Sequence, residues 1–401
     1  MNMKRYLPPT AAPLGILDLV QGAMGLLRGD QVRKRLEAEI KSYFGSSHVF
    51  LVSSGKAALC TILRALKSNS TRTTVIIPAY TCFSVPSAVL KAGLNLALCD
   101  VNPRSLDFDL LQLQDKIGLD TLAVVVPHLL GKPADIQRIQ AMAYAKGAVV
   151  VEDAAQAMGG KDGGRWLGTQ TDVGFFSFGR GKNVSAGSGG MILTNNDAIG
   201  AAVQQAYGEL PSEPPLTAVK NFLSVFAAQW LLHPNVYWLP AGLPFLGLGE
   251  TIFYPDFPVY RMDGIRMALL LSWRARLRGS NRGRAEVARR IIQRLRLSSR
   301  TATVSESAPW LRLPVLMPTS EDKRALCQVA REEGLGVSGL YPAPISEIQE
   351  LRTHFAQDHY PGAITLAERL VTLPTHCYVS DRDIERICAA LQNPETRFLA
   401  I

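Results

Sequence analysis

Between residues 47 and 195, short apolar, β-branched runs alternate with stretches of helical periodicity, and that alternation leaves few folds open. The runs fall at 49–52, 75–77, 94–99, 122–126, 149–151, 173–178 and 190–194. Helical patterns fill 56–66, 83–91, 110–117 and 134–145. Buried strands separated by helices predict an α/β fold: a large domain with a mostly parallel, doubly wound seven-stranded sheet flanked by helices. Right-handed crossovers then place ligands at the carboxyl ends of the strands. A helical pattern over 262–296 leads out of this domain. The rest mixes strand and helix and predicts a smaller α+β C-terminal domain. The expected division is an N-terminal helical segment (1–46), a large domain (47–260) with an apolar insertion at about 209–258, a connecting helix (261–300) and a small domain (301–401).

Two of the predicted strands lead into chemistry. The run 149–151 ends in VVVED, and Asp153 lies just beyond it. The run 173–178 ends in a glycine-rich turn, FGRGKN, that carries Lys182, 29 residues after Asp153. A carboxylate and an amine at one sheet edge are the two groups that pyridoxal phosphate needs. The acid keeps the pyridine nitrogen protonated, and the amine forms the Schiff base and moves the proton. Taken singly, Asp153 reads equally as a helix N-cap and Lys182 as a surface lysine. A third element, Ser53-Ser54-Gly55-Lys56-Ala57-Ala58, follows a strand and opens a helix. Such a turn lets backbone N–H groups approach a phosphate.

The chain has 401 residues, a net charge of +9, and basic residues concentrated in 273–300. No nucleic-acid motif accompanies them, and apolar residues recur between the arginines at helical spacing, so nucleic acid is not the expected partner. An anionic membrane surface and a phosphorylated substrate remain as readings of the charge. Six cysteines without CxxC spacing read as reduced thiols in a reducing, cytoplasmic compartment. The six histidines are not spaced as a ligand pair, so no metal is expected. The N-terminus reads poorly as a signal peptide.

The segment 221–249 contains no Asp, Glu, Lys or Arg across 29 positions. Pro234, Pro240 and Pro244 break it into pieces too short to span a bilayer. A second apolar piece, 14–27, carries one charge. The two segments suit either peripheral contact with the inner face of a membrane or a buried cap or dimer contact.

The order of these motifs resembles the DegT/DnrJ/StrS sugar aminotransferases, a group of fold type I pyridoxal-phosphate enzymes. The resemblance is carried by SSGKAAL (53–59), VIIPAYTCFSVPSAVLKAG (75–93), VVVPHLLGKPADIQRI (124–139), VVVEDAAQAMGG (149–160), TDVGFFSFGRGKNVSAGSGGMILTNN (171–196), LAERLVTLPTH (366–376) and VSDRDIERICAAL (379–391). It implies that Lys182 forms the Schiff base and shuttles the proton. Asp153 would pair with the ring nitrogen and Gln156 would approach the ring oxygen. Ser177 and the backbone at Gly55, Lys56 and Ala57 would hold the phosphate. The implied reaction moves an amino group, from glutamate by family habit, to a nucleotide-linked keto-sugar in surface polysaccharide, lipopolysaccharide or glycolipid biosynthesis. The implied assembly is a homodimer.

Several positions depart from the family pattern. Lys56 stands where Thr is usual, and either adds charge to the phosphate site or points to solvent. The aromatic that stacks on the ring falls at Cys82. The Asn given to the neighbouring subunit's phosphate falls at Val259, and a substrate-loop His at Ser346. These changes leave three alternatives: a cofactor-binding regulator or scaffold, a lyase or desulfurase, and a membrane-associated aminotransferase of a lipid-linked acceptor.

Overall fold

The computed structural model describes residues 5–243, 251–295, 310–392 and 399–400. In chain order its strands are β1 (His48–Val52), β2 (Thr74–Pro78), β3 (Asn95–Cys99), β4 (Val101–Asn102), β5 (Asp107–Phe108), β6 (Thr121–Pro127), β7 (Val149–Asp153), β8 (Lys161–Asp162), β9 (Arg165–Trp166), β10 (Val173–Ser177), β11 (Gly190–Thr194), β12 (Arg312–Leu316), β13 (Leu370–Pro374) and β14 (Leu399–Ala400). Seven of them form one sheet in the order β1-β11-β10-β7-β6-β2-β3. β4 with β5, and β8 with β9, make two small ribbons. Only β11 runs antiparallel to its neighbours in the large sheet. It returns beside β10 through a loop without a helix, and a connection of that kind reverses the strand.

The strands are apolar on both faces because both faces are covered. Val75, Ile77, Ala123, Val125 and Val151 pack into one cluster with the helices Gly55–Ser68 and Ser84–Lys91. The intervening Ile76, Val124, Val126 and Val150 pack into another with the helix Ile136–Ala145. Alternation with period two sorts them in this way. A third cluster sets Leu51, Phe176 and Met191 against Leu36, Ile40 and Phe44 of the helix Ile16–Phe44.

The helix expected over 262–296 is broken into Gly264–Leu269 and Trp273–Arg294, and residue 296 lies outside the described residues. No proline marks the break. The first piece is buried nearly throughout and packs closely on Ile16–Phe44, so that a Cβ on Gly25 would meet the Gly264 carbonyl oxygen at 2.3 Å. The second piece starts where Trp273 stacks with Phe44 and meets Tyr43 edge-on. Tertiary packing outweighs the helical pattern at 270–272.

Beyond it, β13-β12-β14 form a small antiparallel sheet covered by the helices Ser320–Glu333 and Asp381–Leu391. The first residues of the chain strap this unit to the large sheet. Leu7 N–H donates to the Gly334 carbonyl, the Pro8 carbonyl accepts from His376, and Thr10 donates to the Gly181 carbonyl at 2.7 Å. The apolar insertion forms the helix Pro215–Leu231 and a short helix, Trp238–Ala241. Residues 244–249 of that segment lie outside the described residues. No described helix is long and apolar enough to cross a membrane.

Candidate active site

The registers bring one edge of the sheet into line. Val52 and Ser177 both pair with Gly190, Phe175 pairs with Asp153, and Asp153 pairs with Pro127. The ends of β1, β10, β7 and β6 therefore open onto the same cleft. At the end of β1, Ser54 caps the helix Gly55–Ser68, its hydroxyl accepting from Ala57 N–H at 3.1 Å. The amides of Gly55 and Lys56 open that helix with no protein acceptor among the described residues. A Cβ on Gly55 would lie 2.9 Å from Ser177 Cβ. Only glycine allows the helix start to sit this close to Ser177. The Ser177 hydroxyl accepts from Gly179 N–H at 3.2 Å, which turns the chain into the Lys182 loop.

Asp153 ends β7, buried. Its Oδ1 accepts from Ala155 N–H at 3.0 Å, and Oδ2 takes no hydrogen bond among the described residues. Burial pushes this carboxyl above the ordinary carboxylate range. The Ala155 amide and the neighbouring Lys182 and His128 pull it down by less. Glu152, one position earlier, points to the opposite face and is fully buried. It accepts from Gly168, Gln170 and Thr171 N–H at 2.7, 2.5 and 2.7 Å and pairs with His128 Nε2 at 3.0 Å. Nδ1 of His128 accepts from Ala134 N–H, so Nε2 carries the proton given to Glu152. His128 N–H in turn donates to the Asp153 carbonyl at 3.0 Å. This network anchors the backbone that aims Asp153.

Lys182 is half-buried in the 178–189 loop, and its ammonium makes no hydrogen bond among the described residues. The loop itself is fixed at both ends. Phe178 N–H donates to the Gly189 carbonyl, and Ala186 N–H to the Phe178 carbonyl, both at 2.9 Å. Lys182 is near enough to Asp153 for its charge to act on that carboxyl. Gln156 faces the same space. Its Nε2 donates to the Tyr341 hydroxyl at 2.8 Å, and its Oε1 accepts from Leu130 N–H at 3.0 Å.

Tyr341, not singled out from the sequence, is buried between Gln156, Asp153 and Cys82, and burial pushes its phenol well above its ordinary value. Its ring lies 5.3 Å from that of Tyr80. The sequence signal was its place at the head of YPAPISE, directly before Pro342 and five residues before Ser346. Ile345 N–H donates to the Ala79 carbonyl at the end of β2, and this contact delivers the segment to the cleft. Cys82 is half-buried close to both Tyr341 and Lys56. The Lys56 ammonium is half-buried against aromatic rings rather than turned to solvent. It sits 4.5 Å from the centre of the Phe257 ring and 5.5 Å from that of Tyr254, and burial lowers its pKa. Val259 is buried in the core, and the next residue, Tyr260, exchanges backbone and side-chain hydrogen bonds with Ser53.

The chain matches the model of the DegT/DnrJ/EryC1/StrS aminotransferase family over residues 16–208 and 258–392. It is 29% identical to a UDP-N-acetyl-3-dehydro-alpha-D-glucosamine 3-aminotransferase of Acidithiobacillus ferrooxidans, covering 94% of this chain and 92% of that protein. It is 27% identical to the GDP-perosamine synthase of Caulobacter vibrioides, covering 88% of each. Among solved structures, the sugar aminotransferase CalS13 from Micromonospora echinospora superposes with a TM-score of 0.77 at 22% identity, over 96% of this chain and 99% of that one. Helicobacter pylori PseC, an aminotransferase of pseudoaminic acid biosynthesis, does so at 0.75 and 16% identity, over 96% and 98%.

Proposed function

The chain belongs to the DegT/DnrJ/EryC1/StrS aminotransferase family, and we propose that it uses pyridoxal 5'-phosphate to move an amino group, from glutamate, to a nucleotide-linked keto-sugar for surface polysaccharide or glycolipid synthesis. The observation that carries this reading is the buried Asp153, one oxygen hydrogen-bonded and the other without a partner among the described residues, facing the same cleft as Lys182. A carboxylate held in this way awaits a cation, and a protonated pyridine nitrogen is one. The contact between Gly55 and Ser177 supports the fit at the other end: the helix amides and the Ser177 hydroxyl converge where any larger residue would fill the space. The relatives named above act on UDP- and GDP-linked sugars.

When bound, the cofactor supplies an electron sink for the carbon that gains or loses the amine. The residues do the rest. Gly55 and Lys56 would offer backbone N–H groups at the phosphate end, with Ser177 beside them, whereas the expected Ala57 N–H is already taken by the Ser54 cap. Asp153 would hold the positive charge of the pyridine nitrogen. Lys182 would supply the amine that anchors the cofactor and would move the proton. Gln156, held by Tyr341, and Cys82 would flank the cofactor's ring. The Lys56 ammonium rests over the Phe257 ring.

The proposal extends to the assembly and the compartment. Two copies pair about a two-fold axis, the commonest arrangement for soluble enzymes. All six cysteines are free, in keeping with a reducing, cytoplasmic setting. The chain divides at about 46, 260 and 300. The test is a half-reaction. Purified protein is loaded with the cofactor, treated with glutamate, and then offered UDP- and GDP-linked keto-sugars. The visible band should disappear with glutamate and return with the right acceptor. A band unmoved by every amino donor would reject transamination.

A further inference from the structure

The helices Ile16–Phe44 and Pro215–Leu231 lie side by side and antiparallel. Leu14 N–H donates to Gln229 Oε1 at 2.8 Å, and a Cβ on Gly22 would meet the Phe222 ring at 3.0 Å. Their outward faces are inverted relative to an ordinary surface helix, which turns its polar side to water. In Pro215–Leu231 the exposed residues recur at helical spacing as Leu216, Val219, Lys220, Leu223, Phe226 and Trp230, while Ala218 and Val225 point inward. The first helix exposes Ile16, Leu17, Val20 and Met24. Leu216 is 86% exposed, Ile16 82% and Trp230 66%. The short helix beyond continues the surface with Trp238 and Leu239. One continuous apolar face results, with tryptophan at its edge.

Its charge is one-sided. Across 15–28 and 214–243 the acid is Asp18, which is buried beside Ser272 and Arg276. The exposed charges are Arg28 and Lys220, joined by Arg180, whose guanidinium donates to Ser224 Oγ at 2.6 Å. A two-fold contact with a second copy would set this patch against itself and bring cations to cations, the exposed acid at its border, Asp30, being paired with Arg33 on its own helix. An anionic surface meets the same pattern favourably.

We infer that this face docks on a bilayer containing anionic phospholipid, with the two helices lying in the interface plane. Apolar side chains enter the acyl boundary, and Arg28, Arg180 and Lys220 meet the headgroups. The inference stands apart from the choice of acceptor sugar. It also places the catalytic loop close to the membrane. A Cβ on Gly187 would lie 2.0 Å from Val225 Cγ2, so the inner side of the docking helix rests directly on the loop that carries Lys182.

The test is co-sedimentation of the full chain with phosphatidylcholine vesicles, with and without phosphatidylglycerol. Wild-type protein is expected to pellet with the mixed vesicles and remain in solution with phosphatidylcholine alone, its tryptophan emission shifting to the blue on binding. Leu223→Glu/Phe226→Glu should stay in the supernatant while keeping wild-type circular dichroism. Lys220→Glu should weaken partitioning about fivefold or more. If the double variant misfolds, Leu17→Glu on the neighbouring helix carries the same expectation. Wild-type protein that ignores phosphatidylglycerol vesicles overturns the inference. So does light scattering in which Phe226→Glu or Leu17→Glu turns a dimer into a monomer, because a second copy then covers the face.

Discussion

Replacing Gly55 by alanine tests the geometry that makes the phosphate end. The new Cβ would lie 2.9 Å from Ser177 Cβ and 3.2 Å from its Oγ. Carbon atoms pack best at about 3.5–4.0 Å, so the pair is forced roughly 0.6–1 Å too close. Neither partner yields easily. Gly55 is fixed in the first turn of a helix, and Ser177 in a strand paired on both sides; rotating χ1 moves Oγ but not Cβ. Overpacking of this kind costs about 1–3 kcal/mol, and the rigidity of both partners places Gly55→Ala near 2. A melting temperature lower by roughly 2–3 °C follows for a chain of this length. Cofactor affinity should fall as well, because the helix start moves away from Ser177. The decisive assay is a thermal and denaturant double-mutant cycle on the apoprotein with Ser177→Gly, which removes the opposing Cβ. The double variant should recover about 1–2 kcal/mol relative to the sum of the singles, while phosphate binding stays weak. Additive effects within about 0.5 kcal/mol would refute the contact.

Asp153→Asn separates stability from activity. Burial raises the Asp153 carboxyl in the folded state, so its contribution to stability is present below the ordinary carboxylate pKa and lost as pH rises through the raised value. At neutral pH the apoprotein of Asp153→Asn should therefore melt no lower than wild type, yet turn over roughly a hundredfold more slowly; a melt below wild type at neutral pH would contradict the sign. Glu152→Gln places an amide against three backbone donors and breaks the pair with His128. The expected loss is about 3 kcal/mol in denaturant titration, against under 1 kcal/mol if the carboxylate is dispensable. Tyr341→Phe removes the hydrogen bond to Gln156, at about 1 kcal/mol of stability. It should alter the cofactor's bound spectrum, which a purely structural tyrosine would leave unchanged.

The strands and their edge were legible because the pattern and the burial agree. Alternate residues of 75–77, 122–126 and 149–151 each have a helical layer to face, so continuous apolar runs were the right sign. Asp153, Ser177 and the 53–58 turn were readable because strand ends in a parallel sheet converge by topology alone. Tyr341 was not. It reaches the cleft from a unit almost 190 residues further on, through the contact of Ile345 with Ala79. The posture of Lys56 depends on Tyr254 and Phe257, residues of an insertion with no periodic pattern to predict their place. Glu152 carried no signal of its own in the sequence. Only the strand's alternation, together with the turn at 168–171, shows why a carboxylate is buried there. The break at 270–272 likewise comes from packing against Ile16–Phe44 and the Tyr43–Phe44 cluster, which no local propensity records.

The account rests on a covalent link at Lys182, and one measurement reaches it directly. Wild-type protein incubated with pyridoxal 5'-phosphate, reduced with borohydride and digested should yield a single peptide, 182 included, that carries the reduced cofactor; Lys182→Ala should yield none and show no visible band. Label spread over surface lysines, or an unchanged spectrum and adduct in Lys182→Ala, would contradict it.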